Sequence, residues 1–148
     1  MSESAELPSR LSIDSGVILA YYLGEDLGRM AQKYVFDAEG KDIFHSRLCI
    51  AELFYVICRR RGARIADEYT RSYLNAEYGR LANSDAVDMA AGAYKCERTI
   101  SLADCYVIAT AKLQHATALF ARHEKDLDEE INRKPFDVSI LFLEDLGK

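Results

Sequence analysis

One helical segment decides the fold of this chain: SLADCYVIATA, at residues 101–111. Ser101 can cap the start of the helix, and Asp104 stands three residues later, where a capping box more commonly has Glu or Gln. The residues that follow Asp104 are apolar nearly all the way round the helix. A helix of that kind is enclosed by other elements rather than lying at the surface. The segment therefore predicts a buried helix with a carboxylate at its head.

Short apolar segments on either side of this helix predict a parallel sheet. We expect strands at 11–13, 42–45, 117–120 and 138–143, and helices at 15–22, 25–37, 47–61, 65–80 and 85–95. The last two strands are rich in β-forming residues and do not alternate with polar ones, which indicates a sheet covered on both faces. The pattern is typical of an α/β fold, a three-layer domain with a parallel sheet of about four or five strands between helices.

Local details of the helices follow from capping residues and apolar spacing. Ser15 can cap the 15–22 helix, and Gly24 and Gly62 can end the first and third helices. The expected buried stripe of the 47–61 helix comprises Leu48, Ala51, Phe54, Tyr55 and Cys58. That of the 65–80 helix comprises Ile65, Tyr69, Tyr73 and Leu74.

Length and composition are those of one globular domain. The chain has 148 residues, of which 49% are hydrophobic and 29% charged. We expect residues 1–9 to form a flexible tail and residues 10–148 to form a single domain. The formal net charge of −5 argues against a protein that coats nucleic acid through bulk charge, although a local basic patch can still serve.

The cysteines and the N-terminal residues predict a cytoplasmic protein. The four cysteines (Cys49, Cys58, Cys96 and Cys105) are not spaced as C-x-x-C, and each lies in an apolar helical stretch, as expected of reduced core thiols. The first residues lack the basic and apolar regions of a signal peptide. No run reaches the ~18 apolar residues of a membrane span, so no membrane association is expected.

Acidic side chains stand where an α/β sheet binds its ligands. Asp14 follows the first predicted strand, and further acids follow the 117–120 strand, at the carboxyl ends where such sheets bind ligands. Glu52 and Asp104 lie inside apolar helices, where an ionised carboxylate needs a partner. Taken singly, Asp104 is also compatible with an acid that favours a helix N-terminus, Glu52 with an exposed helical glutamate, and Asp14 with a turn acid.

Taken together, these acids predict a metal site. Carboxylates that cluster repel one another and cannot all stay ionised unless a cation neutralises them. An all-oxygen set suits Mg²⁺ or Mn²⁺ better than zinc, which prefers nitrogen and sulfur. Such an ion can generate a hydroxide nucleophile from bound water and stabilise charge that develops on a phosphate.

At these residues the sequence resembles the PIN-domain family, which includes the VapC-type toxins of toxin–antitoxin modules. The matching motifs are LSIDS (11–15), AELF (51–54) and SLADCYVIATA (101–111). The fourth motif, ARHEKDL (121–127), departs from the family pattern. It aligns Glu124 with the family's fourth acid but places Arg122 where a hydroxyl is expected. Asp126 is the alternative to Glu124 at this position, and His123 is a less favoured alternative.

The resemblance implies an Mg²⁺- or Mn²⁺-dependent endoribonuclease that hydrolyses RNA by metal-activated water, with one or two ions. Asp14, Glu52 and Asp104 would bind the metal, and Glu124 would orient water or a second ion. Ser15 and Ser101 would contact these ligands and orient them without binding the metal themselves. A VapC-like toxin would also form a homodimer and be silenced by an antitoxin protein.

Two other functions remain open. One is a PIN-fold protein that has lost catalysis and serves as an interaction or scaffold subunit, which the irregular fourth motif keeps open. The other is a phosphatase on a similar sheet. It is disfavoured because Asp14 is followed by Ser15 and Gly16, without the D-x-D pattern of an aspartyl nucleophile.

The basic residues and histidines are less informative. A dense cluster of arginines could hold RNA phosphates, or could favour a helix C-terminus through the dipole; its members are Arg59, Arg60, Arg61 and Arg64. The three histidines (His45, His115 and His123) are not spaced as a metal site, and we expect each to be an incidental surface or core residue.

Overall fold

The computed structural model describes residues 6–147, and its centre is a five-stranded parallel sheet. The strands are β1 (Arg10–Ile13), β2 (Asp42–His45), β3 (Arg80–Leu81), β4 (Thr117–Phe120) and β5 (Ile140–Phe142). They lie in the order β3-β2-β1-β4-β5, and β1 pairs in parallel with both β2 and β4. The predicted parallel sheet of four or five strands is therefore confirmed.

Seven α-helices connect and cover these strands in the described part of the chain. They are α1 (Ser15–Leu23), α2 (Gly28–Ala31), α3 (Arg47–Arg61), α4 (Ala63–Ala76), α5 (Asp85–Glu97), α6 (Leu102–Gln114) and α7 (Lys125–Arg133). A π-helical segment (Gln32–Phe36) continues α2, and a 3₁₀ helix (Leu143–Gly147) follows β5. Among the described residues, no helix is both long and apolar enough to cross a membrane.

Each face of the sheet has its own hydrophobic core because successive strand residues point to opposite faces. In β4, Leu119 packs into the core that also contains α1 to α4, whereas Ala118 and Phe120 pack into the core of α5 and α6. Helix α6 is buried, as predicted, and its Val107 carbonyl accepts a 2.8 Å hydrogen bond from the Ser12 hydroxyl of β1. The three-layer arrangement places the start of α6 beside the carboxyl end of β1.

Several local predictions were wrong. Asp14, not Ser15, caps α1, because its carboxylate accepts the Gly16 backbone N–H. The predicted 65–80 helix ends at Ala76, after which the chain forms β3. Helix α7 was not predicted, because its sequence is dominated by charged residues and only two positions, Leu127 and Glu130, are buried.

The predicted buried stripes of the third and fourth helices were only partly right. The residues that α3 buries are Cys49, Leu53 and Ile57, whereas Ala51 and Tyr55 are exposed. In α4 the predicted Tyr73 is buried, with Ala66 and Thr70, and the predicted Ile65 and Tyr69 pack partly buried against the core. Leu74 is exposed. Helix α3 has apolar residues on more than one side, so spacing alone does not select the side that meets its neighbours.

The expectation of four buried cysteines needs correction. Of the four cysteines, Cys49 and Cys105 are buried, but Cys58 is only partly buried and Cys96 is exposed. Residues 1–5 of the predicted tail (residues 1–9) lie outside the described residues. Within its described part Leu7 is only 4% exposed, because it joins the core of α1 to α4.

Candidate active site

The fold brings the ends of two strands and parts of two helices to one edge of the sheet. Asp14 follows β1, and its backbone N–H donates a 2.9 Å hydrogen bond to the Leu119 carbonyl of β4. Glu124 follows β4 and immediately precedes α7. Asp104 lies in the first turn of α6, and Glu52 lies in the middle of α3. This edge is where the carboxyl ends of parallel strands bind ligands.

Asp14 is held by the start of its own helix. Its Oδ2 accepts a 3.1 Å hydrogen bond from the Gly16 backbone N–H. A Cβ atom at Gly16 would lie 2.9 Å from that Oδ2 and 3.2 Å from the Cβ of Ala121. Only glycine therefore fits between the Asp14 carboxylate and the chain after β4. Gly16 was not predicted as a site residue, although its position two residues after Asp14 was a signal for it.

Glu52 is held from α1. The Ser15 hydroxyl, which is 3% exposed, donates a 2.5 Å hydrogen bond to Glu52 Oε1. Helices α1 and α3 are distant in sequence, so this bond depends on the packing of the two helices. Ser15 thus contacts a site acid, although it does not cap α1.

Asp104 is held by the cap of α6. The Ser101 hydroxyl accepts a 3.1 Å hydrogen bond from the Asp104 backbone N–H, which is the predicted capping interaction. A hydrogen bond from Ser101 also lowers the pKa of the Asp104 side chain. Ser101 therefore both starts the helix and favours the ionised form of its acid.

Burial and mutual repulsion raise the pKa values of two of these acids. The pKa of Asp14 rises to about 8, first because the carboxyl is buried and then because of the negative charges of Asp104, Glu52 and Glu124. The Gly16 hydrogen bond opposes this rise. The pKa of Asp104 rises to about 7, again through burial first and then through Glu124 and Glu52. Negative charge on the neighbouring acids therefore acts on both Asp14 and Asp104.

The acidic cluster lacks a basic partner within the described residues. No lysine or arginine there forms an ion pair with Asp14, Glu52, Asp104 or Glu124. Glu124 does not use its carboxylate to cap α7. Glu124 and the predicted alternative, Asp126, are both exposed, but it is the charge of Glu124 that acts on both Asp14 and Asp104. This arrangement favours Glu124 as the fourth acid.

The donor set fits a hard divalent cation that keeps part of its water shell. All four groups are carboxylates, and clustered negative charge without a basic partner is what a cation would relieve. Among the residues that the structure describes, no three His, Cys, Asp or Glu side chains stand close enough to enclose an ion together. Mg²⁺ is commonly held by one or two carboxylates and several waters, so it does not require such an enclosure.

The loop that carries Glu124 is held by the segment after β5. The His123 ring stacks on Phe142 with a centroid distance of 3.7 Å. Its Nδ1 lies 2.9 Å from Asp128 Oδ1, and its Nε2 lies 2.8 Å from Asp145 Oδ2. These carboxylates raise the pKa of His123. His123 therefore links α7 and the 3₁₀ helix beside Glu124.

The four predicted RNA-binding arginines are exposed but differ in their partners. Arg60 pairs with Glu25 at 2.8 Å, and Arg64 pairs with Glu68 at 3.6 Å. The guanidinium carbon of Arg59 lies 4.9 Å from the centre of the Tyr55 ring. The predicted cluster is therefore not one uniform patch of free charge.

Comparison with known proteins identifies the family. The sequence matches the PIN domain over residues 11–133, and the chain belongs to the PIN-domain family. A search of curated proteins found no match.

Solved structures with the same fold include several toxin–antitoxin proteins. VapBC2 from Rickettsia felis, crystallised with a DNA fragment from its promoter, is similar with a TM-score of 0.64 and 14% identity over 90% of this chain and 97% of that one. VapC20 from Mycobacterium tuberculosis, a sarcin–ricin loop cleaving toxin, is similar with a TM-score of 0.63 and 16% identity over 82% of this chain and 94% of that one. A toxin–antitoxin complex from Klebsiella pneumoniae is similar with a TM-score of 0.59 and 18% identity over 80% of this chain and 90% of that one. At these identities the likeness is one of fold.

Proposed function

We propose that this protein is an Mg²⁺- or Mn²⁺-dependent endoribonuclease and the toxin of a VapBC-type toxin–antitoxin module. One observation carries the proposal: Asp14, Glu52, Asp104 and Glu124 lie near one another at the carboxyl edge of the sheet, where burial and then the charges of neighbouring acids raise the pKa values of Asp14 and Asp104 without a basic partner among the described residues. Membership of the PIN-domain family and the fold shared with VapC-type toxins support it.

Each acid has a role in this proposal that follows from its position. Asp14, Glu52 and Asp104 hold the cation, directly or through water, and one or two ions would fit four carboxylates. A bound ion would supply an activated water and neutralise charge on the phosphate. Glu124, which directly precedes α7, would accept a hydrogen bond from that water and orient it. Ser15 and Gly16 fix the directions of the Glu52 and Asp14 carboxylates.

The partners follow from the same comparison. RNA is the proposed substrate, since VapC20 is described as a sarcin–ricin loop cleaving toxin. An antitoxin protein is proposed because several structures with this fold are toxin–antitoxin assemblies. A homodimer is proposed from the resemblance to VapC-type toxins alone. A cytoplasmic location is consistent with the cysteines, all four of which are free thiols.

A catalytically inactive scaffold protein with the PIN fold is the second candidate. It is favoured by the open spacing of the acids, since no three of the described side chains enclose an ion, and by Arg122 in the place of a hydroxyl. Metal binding separates the two functions, because a scaffold has no need to retain a cation site.

The test is cleavage of a mixed pool of RNA with Mg²⁺, with Mn²⁺ and with EDTA. We compare the wild type with Asp14→Asn and Asp104→Asn, and use Asp85→Asn as the matched control because Asp85 is an exposed acid in the first turn of another helix, α5. Metal-dependent cleavage that is lost in the first two variants and kept in the control supports the nuclease. If folded, antitoxin-free protein neither cleaves RNA nor binds Mn²⁺, the nuclease function is excluded and the scaffold function is supported.

A further inference from the structure

Helix α3 carries a second feature on the side that bears Glu52. With 3.6 residues per turn, Arg59 lies within about 20° of the direction of Glu52 around the helix axis, and Tyr55 within about 60°. The separation of seven positions from Glu52 to Arg59 corresponds to about 10 Å along the axis. Tyr55 and Arg59 therefore lie on the same side of α3 as Glu52, about one and two helical turns from it towards the C-terminal end of the helix.

Tyr55 and Arg59 contact each other at the surface. The guanidinium carbon of Arg59 lies 4.9 Å from the ring centre of Tyr55, which is 44% exposed. The ring supports the guanidinium from one side, and the exposed side chain of Arg59 keeps its N–H donors available. An aromatic ring and a guanidinium plane are both surfaces on which single-stranded RNA bases stack.

The charge of Arg59 is not cancelled by a carboxylate. Within the described part of the chain, Arg60 and Arg64 have acidic partners, Glu25 and Glu68, whereas Arg59 has none. Arg61 also has no acidic partner among those residues, but it lies about 180° from Glu52 around the helix. Position and pairing together separate Arg59 from the other arginines of the cluster.

We propose that Tyr55 and Arg59 form a subsite for single-stranded RNA, next to the acidic site. A base stacks on the Tyr55–Arg59 pair, and the guanidinium donates hydrogen bonds to the adjoining phosphate. The subsite places the strand so that its neighbouring phosphodiester reaches Glu52 and the other acids. This inference rests on the proposed nuclease function, and it names single-stranded rather than double-stranded RNA as the form that binds.

The experiment measures RNA binding without cleavage. The probe is a fluorescein-labelled single-stranded RNA of about 12 nucleotides with mixed sequence, which covers a typical site. Its anisotropy is followed in EDTA with the full-length chain, at several salt concentrations. Because EDTA removes the divalent ions, a failure of the nuclease proposal does not alter this measurement, and a failure of the subsite leaves cleavage to be tested separately.

Four variants give different expected results. Tyr55→Ala weakens binding about tenfold and keeps the salt dependence, since it removes only a stacking surface. Tyr55→Phe stays within about twofold, since the ring is kept. Arg59→Ala also weakens binding about tenfold and reduces the slope of log K against log salt by about 0.7, the value for one phosphate contact on a single strand. Arg59→Lys keeps the slope but loses affinity, because an ammonium does not stack.

Arg61→Ala is the matched control, with the same loss of one unpaired charge on the opposite side of α3. We expect it to keep the affinity within about twofold. Equal losses of RNA affinity in Arg59→Ala and Arg61→Ala would show that bulk positive charge accounts for the effect, and would overturn the subsite. Unchanged affinity in Tyr55→Ala would overturn it as well.

Two further results would also overturn the proposal. A duplex of the same sequence that binds as tightly as the single strand is incompatible with stacking on unpaired bases. A change from dimer to monomer in Tyr55→Ala, measured by light scattering with full RNA binding retained, would assign this surface to a second copy of the chain. Thermal unfolding of each variant shows whether it is folded.

Discussion

The hydroxyl of Ser15 donates a 2.5 Å hydrogen bond to Oε1 of Glu52, and this bond joins the start of α1 to the middle of α3. Ser15 is buried, so its donor has few alternatives to this acceptor. The bond fixes which way the Glu52 carboxylate faces. In metal sites, removing a group that hydrogen-bonds a metal ligand from behind commonly lowers metal affinity or activity by roughly 10- to 100-fold.

Ser15→Ala is therefore expected to weaken Mn²⁺ binding about tenfold, because the Glu52 carboxylate loses its fixed orientation. Isothermal titration of the metal-free protein measures the affinity. Ser15→Thr, which keeps a hydroxyl, serves as the control and should retain most of the binding. An affinity in Ser15→Ala equal to that of the wild type would show that Glu52 does not need this support.

The caps of α5 and α6 offer a matched pair of serines. Ser84 and Ser101 each accept a hydrogen bond from a backbone N–H three residues later, but only Ser101 stands beside a site acid, Asp104. Replacing either serine with alanine should lower the free energy of unfolding by about 1 kcal/mol, the usual cost of losing an N-cap. Only Ser101→Ala should also weaken Mn²⁺ binding.

Urea unfolding and metal titration of both variants check this prediction. Similar stability losses with a selective loss of metal affinity in Ser101→Ala would link the cap to the site. Equal metal affinities in the two variants would leave Ser101 with a capping role alone.

The pKa of Asp14 has a consequence for stability in metal-free protein. The pKa is raised from 3.8 to about 8 in the fold, so between these values the folded state binds a proton that the unfolded state does not. Stability contributed by this group therefore falls as pH rises from about 4 to about 8. Asp14→Asn removes the ionisable group and can still accept the Gly16 hydrogen bond.

We expect Asp14→Asn to be more stable than the wild type by about 2 kcal/mol at pH 8 with EDTA, and the difference to shrink towards pH 4. Mg²⁺ should stabilise the wild type and not the variant. Thermal unfolding across this pH range measures both effects. Asp85→Asn should show neither, and a destabilised Asp14→Asn would contradict the raised pKa.

His45 gives a pH dependence of opposite sign. The side chain is 3% exposed, its Nδ1 lies 3.1 Å from the Tyr73 hydroxyl, and burial lowers its pKa from 6.5 to about 4. Between these values the unfolded chain binds a proton that the folded chain does not. Stability contributed by neutral His45 is therefore present above pH 6.5 and is lost as pH falls towards 4.

Nuclear magnetic resonance of the His45 ring tests this directly. Its signals should not titrate between pH 8 and about 5 while the protein stays folded. Unfolding measurements on His45→Gln should show a weaker loss of stability over pH 6.5 to 4 than the wild type does. A His45 ring that titrates near pH 6.5 in folded protein would refute the assignment.

Much of the fold was contained in the sequence. The strand at 11–13, the helix at 47–61 and the buried helix after Ser101 were predicted close to their bounds, because capping residues and runs of apolar residues mark them locally. The motifs placed Asp14, Glu52 and Asp104 in the right elements. Helix α7 and strand β3 escaped prediction, since one is highly charged and the other has two exposed residues.

The tertiary structure decided what local patterns leave open. The side of α3 that is buried depends on the helices against which it packs, so Tyr55 proved exposed where its spacing predicted burial. The contacts of Ser15 with Glu52, of Gly16 with the chain near Ala121, and of His123 with Asp145 join residues from different elements. Such contacts exist only after the elements have packed, because sequence spacing reports neighbours along the chain and not across it. The sequence by itself thus determined the elements and the acids, and packing determined how those acids face one another.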